Sequence, residues 1–205
     1  MPVKILLSGM KRSRSHFERR EPILEKIFQT NRFQKVEPLI GNGAKLLDLG
    51  CGFNGELLKR VSLKISEGMG YDLSVTKRKV AGNVKLLAAR LDQNLKLQSN
   101  HFNVVVSMAV IEHLENPAQM LNQAYKALRR GGCLILTTPS PKSKALLEFL
   151  AYRIHVVSEE EIKDHKNYYN KKDLIDLLCG SGFRKEKVKI TPFELGFNTL
   201  AISKK

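Results

Sequence analysis

An apolar strand that runs directly into a glycine turn is the feature that most restricts the fold of this chain. Residues 44–49 are mostly apolar, and Gly50, Gly52 and Gly55 follow at once. Apolar runs of this kind are typical of strands buried on both faces of a parallel sheet. Glycine adopts the backbone angles that a tight turn needs, so the sequence predicts a strand, a turn and then a helix.

The same alternation of strand and helix patterns continues along the chain. We predict strands at 44–49, 68–71, 84–88, 102–108, 133–138, 185–191 and 198–203, and helices at 22–39, 54–61, 76–81, 118–128 and 171–179. Alternating strands and helices indicate parallel βαβ units in a doubly wound sheet. The last two strands are close in sequence, which favours an antiparallel pair.

Two classes of ligand fit the glycine turn, and Asp48 helps to distinguish them. Gly50, Gly52 and Gly55 form the G-x-G-x-x-G spacing of a dinucleotide site, and Asp72 follows at about the ~20-residue spacing of a ribose-binding acid. Asp48, however, stands two residues before the first glycine, where it would repel a pyrophosphate. S-adenosylmethionine has no phosphate and carries an ammonium and a sulfonium, which Asp48 would attract.

Four blocks in order then carry a resemblance to a known family. They are LLDLGCGFNG at 46–55, GYDLS at 70–74, FNVVVSMAVIEHLENP at 102–117 and LRRGGCLILTTP at 128–139. Together they resemble a class I S-adenosylmethionine (SAM)-dependent methyltransferase. The most similar group is the small-molecule type that includes ubiquinone and menaquinone methyltransferases. The resemblance spans roughly residues 30–205 and implies a Rossmann-like, doubly wound α/β sheet of seven strands, mostly parallel with an antiparallel last strand.

The resemblance also implies which residues bind the cofactor. Asp48 would hold the methionine ammonium, Asp72 the two ribose hydroxyls, and Arg32 the methionine carboxylate. The remaining contacts implied are Leu49, Gly50, Cys51 and Gly52 in the turn, Tyr71 and Leu73 flanking Asp72 and covering the adenine, Leu91 and Asp92 at the adenine amino group and ring, and Met108 and Ala109 in the cleft. Arg90 stands where relatives often carry an acid, so adenine placement departs from the family pattern.

A candidate catalytic residue follows the fourth predicted parallel strand. Glu112-His113 matches the family's Glu-His pair, and an imidazole can take a proton from a hydroxyl acceptor near neutral pH. The alternative is that this pair is structural and caps the next helix. No cluster of acids, histidines or cysteines in the sequence has metal-ligand spacing.

Net charge extends the range of acceptors to consider. The formal net charge of +15 favours acidic partners such as nucleic acid, phosphorylated metabolites or an anionic membrane surface. We expect an SAM-dependent methyltransferase acting on a small, anionic acceptor at oxygen. The alternatives are an RNA or other nucleic-acid methyltransferase and a non-catalytic SAM-binding partner subunit. A nicotinamide oxidoreductase would satisfy the glycine spacing but conflicts with Asp48.

The domain organisation expected is a single domain over residues 1–205. Residues 1–20 form a basic arm, and residues 139–169 are a segment we predict to be a substrate lid, because insertions after a strand's carboxyl end often cover the site. The three cysteines have no paired spacing, which favours a reducing compartment. No apolar run approaches ~20 residues and no secretory signal pattern is present, so a cytoplasmic location is expected.

Overall fold

The computed structural model of the protein describes residues 23–76, 78–144 and 167–205. The basic arm predicted at 1–20 lies outside the described residues. So does most of the predicted lid, of which only 139–144 and 167–169 are described.

One eight-stranded sheet organises the described chain. Its strands are β1 (Lys45–Leu49), β2 (Glu67–Asp72), β3 (Arg78–Ala81), β4 (Val84–Ala88), β5 (Phe102–Met108), β6 (Leu128–Pro139), β7 (Val188–Phe193) and β8 (Asn198–Lys204). Their order in the sheet is β3-β4-β2-β1-β5-β6-β8-β7. Strands β4, β2, β1, β5 and β6 are parallel, whereas β8 pairs antiparallel with both β6 and β7. The predicted doubly wound, mostly parallel sheet is therefore confirmed, including the antiparallel last strand.

The sheet has one strand more than predicted, because β3 forms where a helix was expected. Residues 76–81 were expected to be helical, but residues 78–81 form β3, which pairs antiparallel with β4 at the sheet edge. Eleven residues (73–83) separate β2 from β4, which leaves little length for a stable helix and two connections. A turn at Gly82-Asn83 joins the two strands instead. The side-chain amide of Asn83 stabilises this turn by donating to the Ser62 and Ile65 carbonyls at 2.9 and 2.8 Å.

Helices cover both faces of the sheet. They are α1 (Ile23–Val36), α2 (Glu56–Val61), α3 (Pro117–Ala127) and α4 (Lys171–Gly180). Side chains of α1 and α2 pack in one buried apolar cluster, and side chains of α3 and α4 pack in a second cluster. Strand β1 contributes Leu46 to the first cluster and Leu47 to the second, as expected for a strand buried on both faces. Among the described residues, no helix is long and apolar enough to span a membrane.

Candidate functional site

The glycine turn after β1 forms one wall of a cleft at the carboxyl ends of the parallel strands. Gly50 has a φ of +88°, and the amides of Gly50 and Cys51 both donate to the Tyr71 carbonyl of β2, at 2.8 and 3.2 Å. A side chain at position 50 would collide with Val110, because a Cβ there would lie 2.1 Å from Val110 Cγ2. Only glycine fits both the angle and the space.

A cavity of about 450 Å³ lies between this turn and α1. From the turn and the strand ends it is lined by Asp48, Gly50, Cys51, Gly52 and Met108, and from α1 by Arg32 and Phe33 among others. Six residues predicted from the sequence to bind the cofactor therefore line one cavity: Arg32, Asp48, Gly50, Cys51, Gly52 and Met108. The carboxyl edge at a strand-order reversal is where ligands bind in sheets of this type.

Asp48 is a deeply buried carboxylate beside this cavity. It is 1% exposed, and neither of its oxygens has a hydrogen-bond partner among the described residues. Burial, and to a lesser extent the charge of Asp72, raises the pKa of this carboxyl to about 7. An unpaired buried acid is costly to the fold. A cationic donor placed in the cavity beside it would remove that cost.

Asp72 is held at the other side of the turn by hydrogen bonds. One of its oxygens accepts from the Gly52 amide at 2.9 Å, and the other accepts from the Ser74 amide and hydroxyl at 2.8 and 2.7 Å. An ionised carboxylate offers about four acceptor positions, so one remains. The carboxylate therefore fixes the turn against β2 while keeping capacity for a ligand hydroxyl.

A second buried carboxylate, Glu112, lies in the short 3₁₀ turn Ile111–His113 after β5. It is 0% exposed; Thr138 Oγ1 donates to its Oε2 at 3.1 Å, and Oε1 has no partner in the described chain. Burial raises its pKa to about 7, and the charge of Arg32 opposes that rise. Arg32 Nε is itself buried without a described partner. Arg32 and Glu112 thus form an incompletely satisfied pair of opposite charges between the cavity and the end of β6.

His113 ends the short 3₁₀ turn Ile111–His113 beyond β5. Its amide donates to the Val110 carbonyl at 3.0 Å, and its side chain is half-buried. Ala109, just before this turn, has a φ of +52°, a strained angle for a residue with a side chain. Within the described ranges, no group of three or more acids, histidines and cysteines is placed to hold a metal ion.

The residues predicted around the adenine, and Leu49 of the turn, are placed differently. Leu49, Tyr71 and Leu91 pack in the apolar core, whereas the Leu73 side chain is 54% exposed. Both carboxylate oxygens of Asp92 accept from the Arg90 guanidinium, at 3.1 and 2.9 Å. None of these residues lines the cavity beside α1. The structure thus brings the predicted methionine-binding residues together in one cavity, whereas the residues predicted around the adenine lie outside it.

Sequence reasoning missed three contacts, two at the glycine turn and one at the end of β6. Arg78 of β3 lies over the Phe53 ring, 4.5 Å from its centre, and its guanidinium donates to the Phe53 carbonyl. Val110 covers Gly50, and Thr138 holds Glu112. The Glu-His pair gave a signal for Glu112. No local pattern indicates that Arg78 reaches the turn, because this contact depends on the β3–β4 hairpin.

The proteins that this chain matches in sequence include methyltransferases. Residues 17–188 match the family model described as a methyltransferase domain. A ubiquinone biosynthesis O-methyltransferase of Psychrobacter arcticus is 24% identical over 76% of this chain and 65% of its own length. A mitochondrial ubiquinone biosynthesis O-methyltransferase of Candida albicans is 25% identical over 82% of this chain and 55% of its own length. The chain thus spans less than two thirds of each of these relatives.

A solved structure shows the same fold. The crystal structure of an S-adenosylmethionine-dependent methyltransferase from Mesorhizobium loti has a TM-score of 0.64 and 19% identity, covering 85% of this chain and 96% of that one. The eight-stranded sheet described above is therefore of the kind found in that structure.

Proposed function

The chain belongs to the methyltransferase-domain family as a class I SAM-dependent methyltransferase, and we propose that it methylates an oxygen atom of a small, anionic acceptor. The observation that carries the site assignment is Asp48, whose two buried oxygens have no partner in the described chain. A buried acceptor pair beside a cavity matches a ligand that brings a cationic donor.

In this proposal, three residues each bind a different part of the cofactor. Asp48 binds the methionine ammonium from the floor of the cavity. Arg32 binds the methionine carboxylate from α1, where its Nε is buried and available. Asp72 accepts from a ribose hydroxyl with the capacity that Gly52 and Ser74 leave open. The glycines keep side chains out of this part of the cavity, so the backbone can approach the ligand closely.

The transfer itself needs few protein groups. The cofactor supplies an electrophilic methyl group on a sulfonium, and the protein orients the acceptor and manages its proton. In the proposal, His113 would take the hydroxyl proton of the acceptor, and the bound cofactor would supply the methyl carbon to that oxygen and leave as S-adenosylhomocysteine. General-base assistance of this kind is worth on the order of 10²–10⁴ in rate.

Two observations support the acceptor class. Relatives named as ubiquinone biosynthesis O-methyltransferases act, by that name, on oxygen. The net charge of +15 favours an acidic acceptor over a neutral one.

Calorimetry tests the cofactor site first. Wild-type protein and Asp72→Ala are titrated with SAM, S-adenosylhomocysteine and NADH, with Asp176→Ala as the control because Asp176 is an exposed acid on α4. We expect both sulfur compounds to bind wild type and the control, NADH not to bind, and Asp72→Ala to lose roughly 10- to 100-fold in affinity. NADH binding, or unchanged affinity in Asp72→Ala, would reject the site assignment.

A transfer assay then tests the acceptor and the base. Labelled SAM is offered with matched hydroxylated acceptors with and without a carboxylate or phosphate, and with RNA. We expect label in the ether of the anionic acceptors, with turnover lowered by salt and by His113→Ala while SAM affinity stays unchanged. Label in RNA alone would replace the small-molecule proposal, and full turnover in His113→Ala would remove His113 as the base.

A further inference from the structure

The amino-end edge of the sheet, opposite the cofactor cleft, carries a concentration of positive charge. Three separate segments meet there because of the strand directions. The turn from α3 into β6 brings Lys126, Arg129 and Arg130, and the end of antiparallel β8 brings Lys204 and Lys205. The short turn before β7 brings Arg184, Lys185 and Lys187. This amino-end basic surface is assembled by tertiary structure from sites far apart in sequence.

The packing confirms that these segments are adjacent. The Gly131 amide donates to the Lys205 carbonyl, and the Lys205 amide donates to the Gly132 carbonyl, at 3.3 and 3.0 Å. Lys205 Nζ donates to the Leu128 carbonyl at 2.6 Å, and burial together with the charge of Arg130 lowers the pKa of Lys205. The acids described on this edge are paired with bases. Glu186 pairs with Arg184, Glu67 faces Lys45 and His101, and Glu37 pairs with Arg60.

Two exposed leucines lie on the same edge. Leu63 is fully exposed in the connection from α2 to β2, and Leu39 is 39% exposed at the end of the short helix after α1. These two connections are joined, because Lys64 Nζ donates to the Glu37 carbonyl at 3.1 Å and the Gly43 amide donates to the Lys64 carbonyl at 2.8 Å. Lys64 follows Leu63 directly, whereas Arg60 is ion-paired with Glu37 beside Leu39, so the leucines form a small apolar site with Lys64 as its neighbouring positive charge.

We propose that the amino-end edge binds the surface of an anionic lipid bilayer, with Leu63 entering the interface and the lysines and arginines contacting the headgroups. Strands β2, β1, β5, β6, β8 and β7 are neighbours in that order in the sheet. Six neighbouring strands correspond to roughly 24 Å of edge. Basic residues beside a bilayer attract acidic lipids, and an apolar side chain adds affinity that salt does not screen.

The composition of this edge favours a bilayer over a nucleic acid. Proteins that bind single strands stack bases on aromatic side chains. The large apolar side chains exposed in the described residues are Ile27, Leu39, Leu63, Leu73 and Leu195, and none of these is aromatic. A protruding leucine adds nothing to phosphate contacts but fits an acyl boundary.

Binding in this orientation points the cofactor cleft away from the lipid. The cleft lies at the carboxyl ends of the strands and the proposed lipid surface at their amino ends. The bound protein would therefore keep its cofactor cavity open to water.

Vesicle binding tests the inference with the full chain and needs no methyl acceptor. Protein is sedimented with phosphatidylcholine vesicles with or without phosphatidylglycerol, at low and high salt. We expect binding only with phosphatidylglycerol. The partition coefficient should fall about tenfold in Leu63→Ser and about 20-fold in Arg129→Gln/Arg130→Gln. Because Leu63 is fully exposed, its substitution should leave thermal unfolding unchanged.

Matched variants at the opposite edge provide the control. Leu195 is 95% exposed in the β7–β8 turn, and Lys142 and Lys171 are exposed near the cleft. Leu195→Ser and Lys142→Gln/Lys171→Gln should bind vesicles as wild type does. The inference is overturned if wild type does not bind anionic vesicles or if the two sets of variants lose binding equally. The inference is also overturned if Leu63→Ser binds as wild type does and the protein prefers single-stranded RNA to vesicles. That result would assign the edge to nucleic acid.

Discussion

The two ends of the predicted cofactor cleft differ in how well their charged groups are satisfied. At the methionine end, Asp48 and Glu112 are buried with unpartnered oxygens, and Arg32 has an unpartnered Nε in the described chain. At the adenine end, Asp92 is engaged twice by Arg90 on the surface. The unsatisfied end is the one that needs a ligand to complete it, because a buried polar group without a partner costs free energy.

The difference also shows where the fold gives up stability for binding. Two carboxyls with pKa values raised to about 7 by burial lie near the cavity, next to a turn with Gly50 at a φ of +88° and Ala109 at +52°. The adenine end contains no comparable buried acid among the described residues. Substitution of Asp48 at the methionine end should therefore lower cofactor affinity and raise stability. Substitution of Asp92 at the adenine end should change cofactor affinity much less.

The largest effect is expected from Asp48→Asn. The affinity for S-adenosylhomocysteine should fall roughly 100-fold, because the ligand ammonium loses its counter-charge. Stability should rise at the same time. The folded pKa of about 7 lies above the ordinary value of 3.8, so the native state binds more protons between these pH values and stability falls as pH rises through them. Removing the ionisable group should recover about 2–4 kcal/mol at pH 8.

Calorimetry and urea unfolding at pH 8 check both parts. Asp176→Asn is the matched control, since Asp176 is exposed on α4, and it should leave affinity and stability unchanged. A destabilised Asp48→Asn protein would mean that Asp48 has a stabilising partner in the native state.

Paired glycine substitutions should separate steric from conformational effects in the turn. Gly50→Ala places a Cβ 2.1 Å from Val110 Cγ2, whereas Gly52→Ala meets nothing within 4 Å, and both have positive φ. We expect Gly52→Ala to cost about 1 kcal/mol from the backbone alone, and Gly50→Ala to cost about 2–4 kcal/mol because Val110 must also move. Urea unfolding measures both. Equal losses would show that Val110 shifts without cost.

Affinity for S-adenosylhomocysteine should depend on pH through Asp48. Only the ionised carboxyl attracts the ammonium, so the dissociation constant should be constant above pH ~7 and rise about tenfold per unit below it. Asp48→Asn should abolish this dependence. Glu112→Gln distinguishes the other acid with a pKa of about 7, and retention of the dependence in that variant would assign it to Asp48.

The smallest effect is expected at the adenine end. Asp92→Ala should weaken S-adenosylhomocysteine binding by about threefold or less, because the carboxylate is already paired with Arg90 and exposed ion pairs contribute little. Titration of Asp92→Ala and Arg90→Ala measures this. A loss as large as that expected for Asp72→Ala would show that Asp92 leaves Arg90 when the cofactor binds, and the contrast between the two ends would then disappear.

The sequence by itself predicted the doubly wound sheet and the turn after β1, and it singled out six residues that line one cavity. These depend on local order: an apolar strand, glycines at fixed spacing and an acid before them are all adjacent in the chain. The helix predicted at 76–81 was wrong because the pairing of β3 with β4 and the anchoring of Asn83 outweigh a weak local preference.

Tertiary structure alone decided three features. It placed Arg78 over Phe53, and it buried Asp48 and Glu112 deeply enough to raise their pKa values. It also gathered the basic residues from the α3–β6 turn, the turn before β7 and the end of β8 on one edge. Burial, the contact between Arg78 and the Phe53 ring, and surface charge density arise from residues far apart in sequence. Periodicity and spacing along the chain do not contain them.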